Sequence, residues 1–144
     1  MKKYVLFTLL LLSFTLMLSA CSQSEEEKIR VHLEDYSFYD ILVDLTDGGL
    51  NIEVQMFETS DNDMAQVDVV VETKALLEAV KKYSEVNLDV IKEVNLYFVT
   101  RETNITVAEI NANIDTISGT NWNELDRYEL PQIVDGYKFY GVSN

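Results

Sequence analysis

The stretch Asp47-Gly48-Gly49-Leu50-Asn51-Ile52-Glu53-Val54-Gln55-Met56 constrains the fold more than any other. Ile52, Val54 and Met56 fall on one side of an extended chain, and Asn51, Glu53 and Gln55 on the other. A period of two is the signature of a half-buried strand. Such a strand needs a sheet with one packed face and one face in water. Asp47-Gly48-Gly49 tolerates positive φ and reads as a hairpin turn, so a partner strand should precede it. Ile41, Val43 and Leu45 alternate there with Leu42 and Asp44, within a segment, 29–46, rich in β-branched and aromatic residues.

Further along, residues 59–64 read as a loop, and the stretch to Glu85 as helix. Leu76, Leu77 and Val80 recur at helical spacing, and Lys81 and Lys82 suit a helix C-terminus. The intervening QVDVVVE run fits helix or strand by periodicity, and helix is preferred. Val94, Leu96 and Phe98 predict a strand over 93–100. The RETN turn and ITVAEI then predict a second hairpin. A short helix is expected near Asn111–Ser118, with Gly119 as its cap. The order strand, strand, helix, strand, strand, short helix predicts a single α+β domain. Its antiparallel sheet of two hairpins would be covered by helices on one face.

The N-terminal end carries an address. Lys2 and Lys3 precede an uncharged run from Tyr4 to Leu18, too short for a membrane span of roughly 20 residues but right for a secretory apolar core. Leu18-Ser19-Ala20-Cys21 then resembles the lipobox of bacterial lipoproteins. The resemblance implies cleavage before Cys21 and a diacylglyceryl thioether on its sulfur, formed by a thiolate that serine could not supply. Stable membrane anchorage takes two or more acyl chains. Cys21 is the only cysteine of the 144 residues, so a mature domain would hold no disulfide. This divides the chain into a signal at 1–20, a lipidated cysteine with an acidic tether at 21–28, and a globular domain at 29–144. The tether, SQSEEEK, reads as solvated chain reaching about 20 Å. The address is extracytoplasmic, on a Gram-positive cell membrane by preference. Ser22 is also compatible with sorting to an outer membrane.

Charge narrows the partners. Loss of residues 1–20 removes two lysines and no acid, taking the formal charge from −14 to −16. Such a surface repels nucleic acid and anionic headgroups and attracts basic proteins or cations.

Motifs for catalysis are missing. No nucleophile elbow, phosphate loop, zincin motif or dinucleotide fingerprint occurs, and His32 is the sole histidine. No cofactor is expected. Asp61, Asp63 and Asp68 in DNDMAQVD echo the start of a calcium loop. Ala65 stands at its fifth position and Gln66 replaces its turn glycine, so they make only weak metal candidates.

The tail from Thr120 to Asn144 holds the only tryptophan and the only proline. Its Asn121-Trp122, Leu130-Pro131 and final Tyr140 resemble the closing segment of small Gram-positive surface lipoproteins. Trp122, Tyr128, Tyr137 and Tyr140 are the candidate contact surface, against the plainer expectation that terminal aromatics lock the chain end onto the core. The functional expectation is a non-catalytic binding module with an envelope protein as partner. The alternatives are a sensor of a cation or small solute, or a small hydrolase working with carboxylates alone.

Overall fold

The computed structural model describes residues 23–38, 40–57 and 59–142. The signal segment, Cys21 and Ser22 lie outside the described residues. Among the described residues, four helices and one five-stranded sheet form an α+β domain.

Helix α1 spans Glu25–Asp35, so the acidic tether expected to run to Lys28 is helical from Glu25 onward. Ser24 caps it, its Oγ accepting from Glu27 N at 3.2 Å. Glu25, Glu26 and Glu27 occupy the first turn, where carboxylates favour the dipole. Ile29 and Leu33, four residues apart, are its buried stripe. Ser-x-x-Glu ahead of an apolar i, i+4 pair is the sequence signature of this N-terminus.

Strands β1 (Ile41–Thr46) and β2 (Gly49–Met56) pair antiparallel in the expected hairpin. Asp47 and Gly48 make its two-residue turn at φ 53° and 88°, as a type I′ turn requires. A Cβ on Gly48 would also stand 2.9 Å from the Lys92 side chain.

Helix α2 runs from Asn62 to Val86, so it begins inside the expected loop. Asp61 is its N-cap, with Oδ1 accepting from Asp63 N at 2.9 Å and Met64 N at 3.2 Å. The QVDVVVE run is helical throughout. Val69 and Val70 turn inward, followed by Leu76, Leu77, Val80 and Tyr83.

Strand β3 (Glu93–Thr100) lies parallel to β2, and α2 is the crossover between them. The sheet is therefore mixed, not antiparallel throughout. A helix of this length between two strands permits the parallel return that a tight turn forbids. Strand β4 (Thr106–Asn113) forms the second hairpin with β3, with a register shift at Phe98/Val99. Helix α3 (Ile114–Gly119) follows, capped at its C-terminus by Thr120 in an extended conformation. Gly119 closes the helix from within and is not its left-handed cap. Helix α4 (Leu130–Ile133) and strand β5 (Gly136–Phe139) had no counterpart in the sequence reading. β5 extends the sheet antiparallel to β4, giving the order β1-β2-β3-β4-β5.

Leu50, Ile52, Val54, Met56, Val94, Leu96, Phe98, Ile110 and Ala112 line one sheet face, in a single core with Ile29, Leu33 and the inner stripe of α2. The opposite face is polar. Asp44, Asn51, Asn95 and Asn111 are register neighbours on four strands. Their side chains form a relay from Asn51 to Asp44 (3.1 Å), Asn95 to Asn51 (3.1 Å) and Asn111 to Asn95 (2.7 Å). These amides satisfy one another at the water-facing side, which fixes register without apolar burial.

Candidate functional site

Trp122 is fully buried, and its Nε1 donates to Ile117 O at 3.0 Å. It anchors the tail to the core and is not part of any contact surface. The expected aromatic surface is thus reduced to its tyrosines. Tyr128 and Tyr140 are exposed, while Tyr137 is half-buried. Tyr140 stands apart, beside the polar sheet face. Partial desolvation, and then a hydrogen bond to Glu109, raise its phenol above the usual range.

Tyr128 and Tyr137 meet at a groove of about 400 Å³, walled on one side by Val67 and Val70 of α2 and on the other by Arg127 and Pro131. The tail wall is built by local chemistry. Asp126 turns the chain by accepting from Tyr128 N at 2.9 Å, and Glu129 reaches back to Asp126 N at 2.8 Å. Leu130 is buried as the anchor of this loop. Pro131 opens α4, where its missing N–H costs nothing. Lys74 of α2 donates to Leu125 O, tying the loop to the helix opposite. The Arg127 guanidinium lies 4.6 Å from the centre of the Tyr128 ring.

The hydroxyl of Tyr137, a residue that lines this groove, is buried with no hydrogen-bond partner among the described residues. A buried, unpaired hydroxyl carries a desolvation cost.

The groove opens onto an apolar stripe. Met64, Val67 and Val71, at i, i+3 and i+7 of α2, face outward, with Met64 58% and Val71 59% exposed. They lie on the side of the helix opposite its inward stripe, so the first half of α2 carries a second apolar stripe, edged by Asp63 and Asp68. Two apolar stripes suit a helix with partners on two sides. The sequence signal was the triple Val69-Val70-Val71 preceded by Met64 and Val67, more apolar than a one-sided helix requires.

A second cleft, of about 430 Å³, lies between the end of β2 and α2. It gathers Asp40, Gln55, Phe57, Asp68 and Glu72. Burial, and then the neighbouring Asp68 charge, push the Glu72 carboxyl above the usual carboxylate range. Arg101 pairs with Asp40 at the rim and stacks 4.8 Å from the Phe57 ring centre.

The three aspartates do not converge. Asp61 spends its carboxylate on the α2 cap, Asp63 edges the tyrosine groove, and Asp68 lines the second cleft. Among the described residues no group of three or more His, Cys, Asp or Glu could hold a metal ion. His32 is accounted for structurally, with Nε2 at 2.9 Å from Ala79 O and its ring against Tyr36 and Tyr83. No helix among the described residues is long and apolar enough to cross a membrane. No family model, curated protein or solved structure matches this chain.

Proposed function

We propose that this chain is a membrane-anchored, extracytoplasmic lipoprotein, held by a lipid on Cys21, that works as a non-catalytic binding module for an envelope protein. The observation that carries the binding role is the outward Met64–Val67–Val71 stripe running into the Tyr128–Tyr137 groove. The domain does not use this apolar surface for its own core. A concavity lined by apolar and aromatic side chains with a few polar groups at its edge, here Asp63, Gln66 and Arg127, is how a binding site is built. Asp63 and Asp68 flank the stripe, and the surplus of acid over the whole chain favours a partner with basic residues around an apolar contact. The sequence from Lys2 to Cys21 supports the anchor.

The test is crosslinking on intact cells. The wild type, a Cys21→Ala variant and the groove variants Val67→Asp and Tyr128→Ala would be compared. Both groove positions are exposed, so neither change should lower the melting temperature appreciably. A partner held by wild type and lost from both groove variants supports the reading. A partner retained by both variants removes the groove from it.

The second cleft favours a second reading, hydrolysis by carboxylates. Asp68 and an elevated Glu72 in one concavity are the acid–base contrast that such chemistry uses. Assay against glycan and peptide substrates decides it. Absence of turnover, or turnover untouched by Glu72→Gln, excludes this reading.

A further inference from the structure

Because α1 begins at Glu25, only Ser22, Gln23 and Ser24 separate Cys21 from the folded domain. Four Cα steps span at most about 14 Å. On the lipid-anchor reading, on which this inference rests, the end of the domain carrying Glu25 is therefore held at the bilayer rather than lifted clear of it.

The structure identifies what else lies at that end. Glu25 accepts from the Tyr83 hydroxyl at 3.1 Å, in the last turns of α2. Glu26 accepts from Leu45 N at 3.2 Å, beside the β1–β2 turn. Three residues beyond Tyr83 the helix stops at Val86, and the chain turns through Leu88 with Asp89 at φ 65°. Val86 and Leu88 are 82% and 76% exposed, among the most exposed large apolar side chains of the described residues. They protrude from the anchored end, where a soluble surface gains nothing from them.

We propose that the Val86–Leu88 turn docks on the bilayer surface when Cys21 is acylated, fixing the orientation of the domain. The occupant of this apolar turn is lipid, because the short linker brings lipid to it. Glu85 and Asp89 bracket the two side chains in sequence, and Glu25 and Glu26 stand at the same end through their bonds to Tyr83 and Leu45 N. Contact is therefore shallow, and suits zwitterionic better than anionic headgroups. Docking has a consequence at the other end. Val67 lies nineteen residues back along α2, about 28 Å at 1.5 Å per residue. The groove is then presented away from the membrane, towards partners.

The experiment uses acylated full-length protein in phosphatidylcholine vesicles. Acylation blocks Cys21, so a cysteine introduced at Val86→Cys, Leu88→Cys or Met64→Cys is the only thiol open to an environment-sensitive fluorophore. All three positions are exposed, so the labels leave the core intact. Vesicle flotation reports the anchor, and quenching by a bilayer-borne spin label reports docking. Floating protein with quenching at 86 and 88 and little at 64 is the expected result. Floating protein with equal quenching at all three positions overturns the docking while leaving the anchor standing. Protein that does not float overturns the anchor and the docking with it.

Discussion

The Tyr83 hydroxyl donates to Glu25 Oε2 at 3.1 Å, joining the first residue of α1 to the last turns of α2 across 58 positions of sequence. Burial, and then the Glu25 interaction, push the Tyr83 phenol from 10.0 up to about 12. A folded pKa above the unfolded one means that the contribution is complete below pH 10 and fades as pH rises through about 12. On the partner's side, Lys28 first and Tyr83 second hold Glu25 below the usual carboxylate range. Its contribution is present above the unfolded pKa and fades as acid protonates it. Tyr83→Phe should lower the melting temperature by a few degrees between those limits and loosen α1, read as faster amide exchange over 25–35. Unchanged exchange would mean that Ile29 and Leu33 alone hold the helix.

Trp122 makes a sharper case, because the tail depends on it. It is the largest fully buried side chain and the sole tryptophan. Its emission should be blue-shifted and inaccessible to aqueous quenchers. Trp122→Ala should cost about 3–5 kcal/mol, as removal of a buried aromatic does. Denaturant unfolding measures this. A loss below about 1 kcal/mol would mean that the tail is held by Leu130 and Val134 instead.

Two hydroxyls invite the opposite result. Thr73 Oγ1 and the Tyr137 hydroxyl are buried without hydrogen-bond partners among the described residues. Thr73→Val and Tyr137→Phe each remove an unsatisfied group at nearly constant shape. Each should raise stability, by about 1 kcal/mol at the fully buried Thr73 and by less at Tyr137. Both hydroxyls are closed to solvent, so both variants should capture the groove's partner as wild type does. Weaker capture by Tyr137→Phe alone would show that the groove opens onto that hydroxyl when a partner binds.

What could be read from the sequence follows from how local each signal is. The alternation around Ile52 and Val94, the Asp47-Gly48 turn and the helical run from Gln66 to Glu85 depend on neighbours a few residues away. All four stand in the structure. α1 hides behind its acidic start, since Glu25, Glu26 and Glu27 look like solvated tether, although Ser24 and Glu27 mark a helix start. The parallel pairing of β2 with β3 depends on where a 25-residue crossover returns, which neither strand encodes alone. β5 is four residues long and begins with Gly136, so it gains strand character only against β4. Of the candidate site, Tyr128 and Tyr137 could be named, but the wall facing them could not. Met64, Val67 and Val71 become a surface only once Val69 and Val70 are known to point inward.

Glu72 gives the pH test. Its folded pKa stands above the unfolded value because burial, and then Asp68, disfavour the charged form. The sign is therefore opposite to that of a paired carboxylate. Whatever stability Glu72 contributes is present while it is protonated, below its unfolded pKa of about 4.3. It is lost as pH rises through the elevated folded value, after which an ionised carboxylate is held in a partly desolvated cleft. Glu72→Gln copies the protonated form at every pH. The variant should match wild type below about pH 4 and melt at a higher temperature near pH 7. Asp68→Asn should close part of that gap, because it removes the second of the two causes and leaves the first. Thermal melts of the three proteins from acid to neutral pH measure this directly. Parallel curves for wild type and Glu72→Gln would mean that Glu72 ionises as an ordinary surface carboxylate. The cleft would then lose the one property that sets its two acids apart.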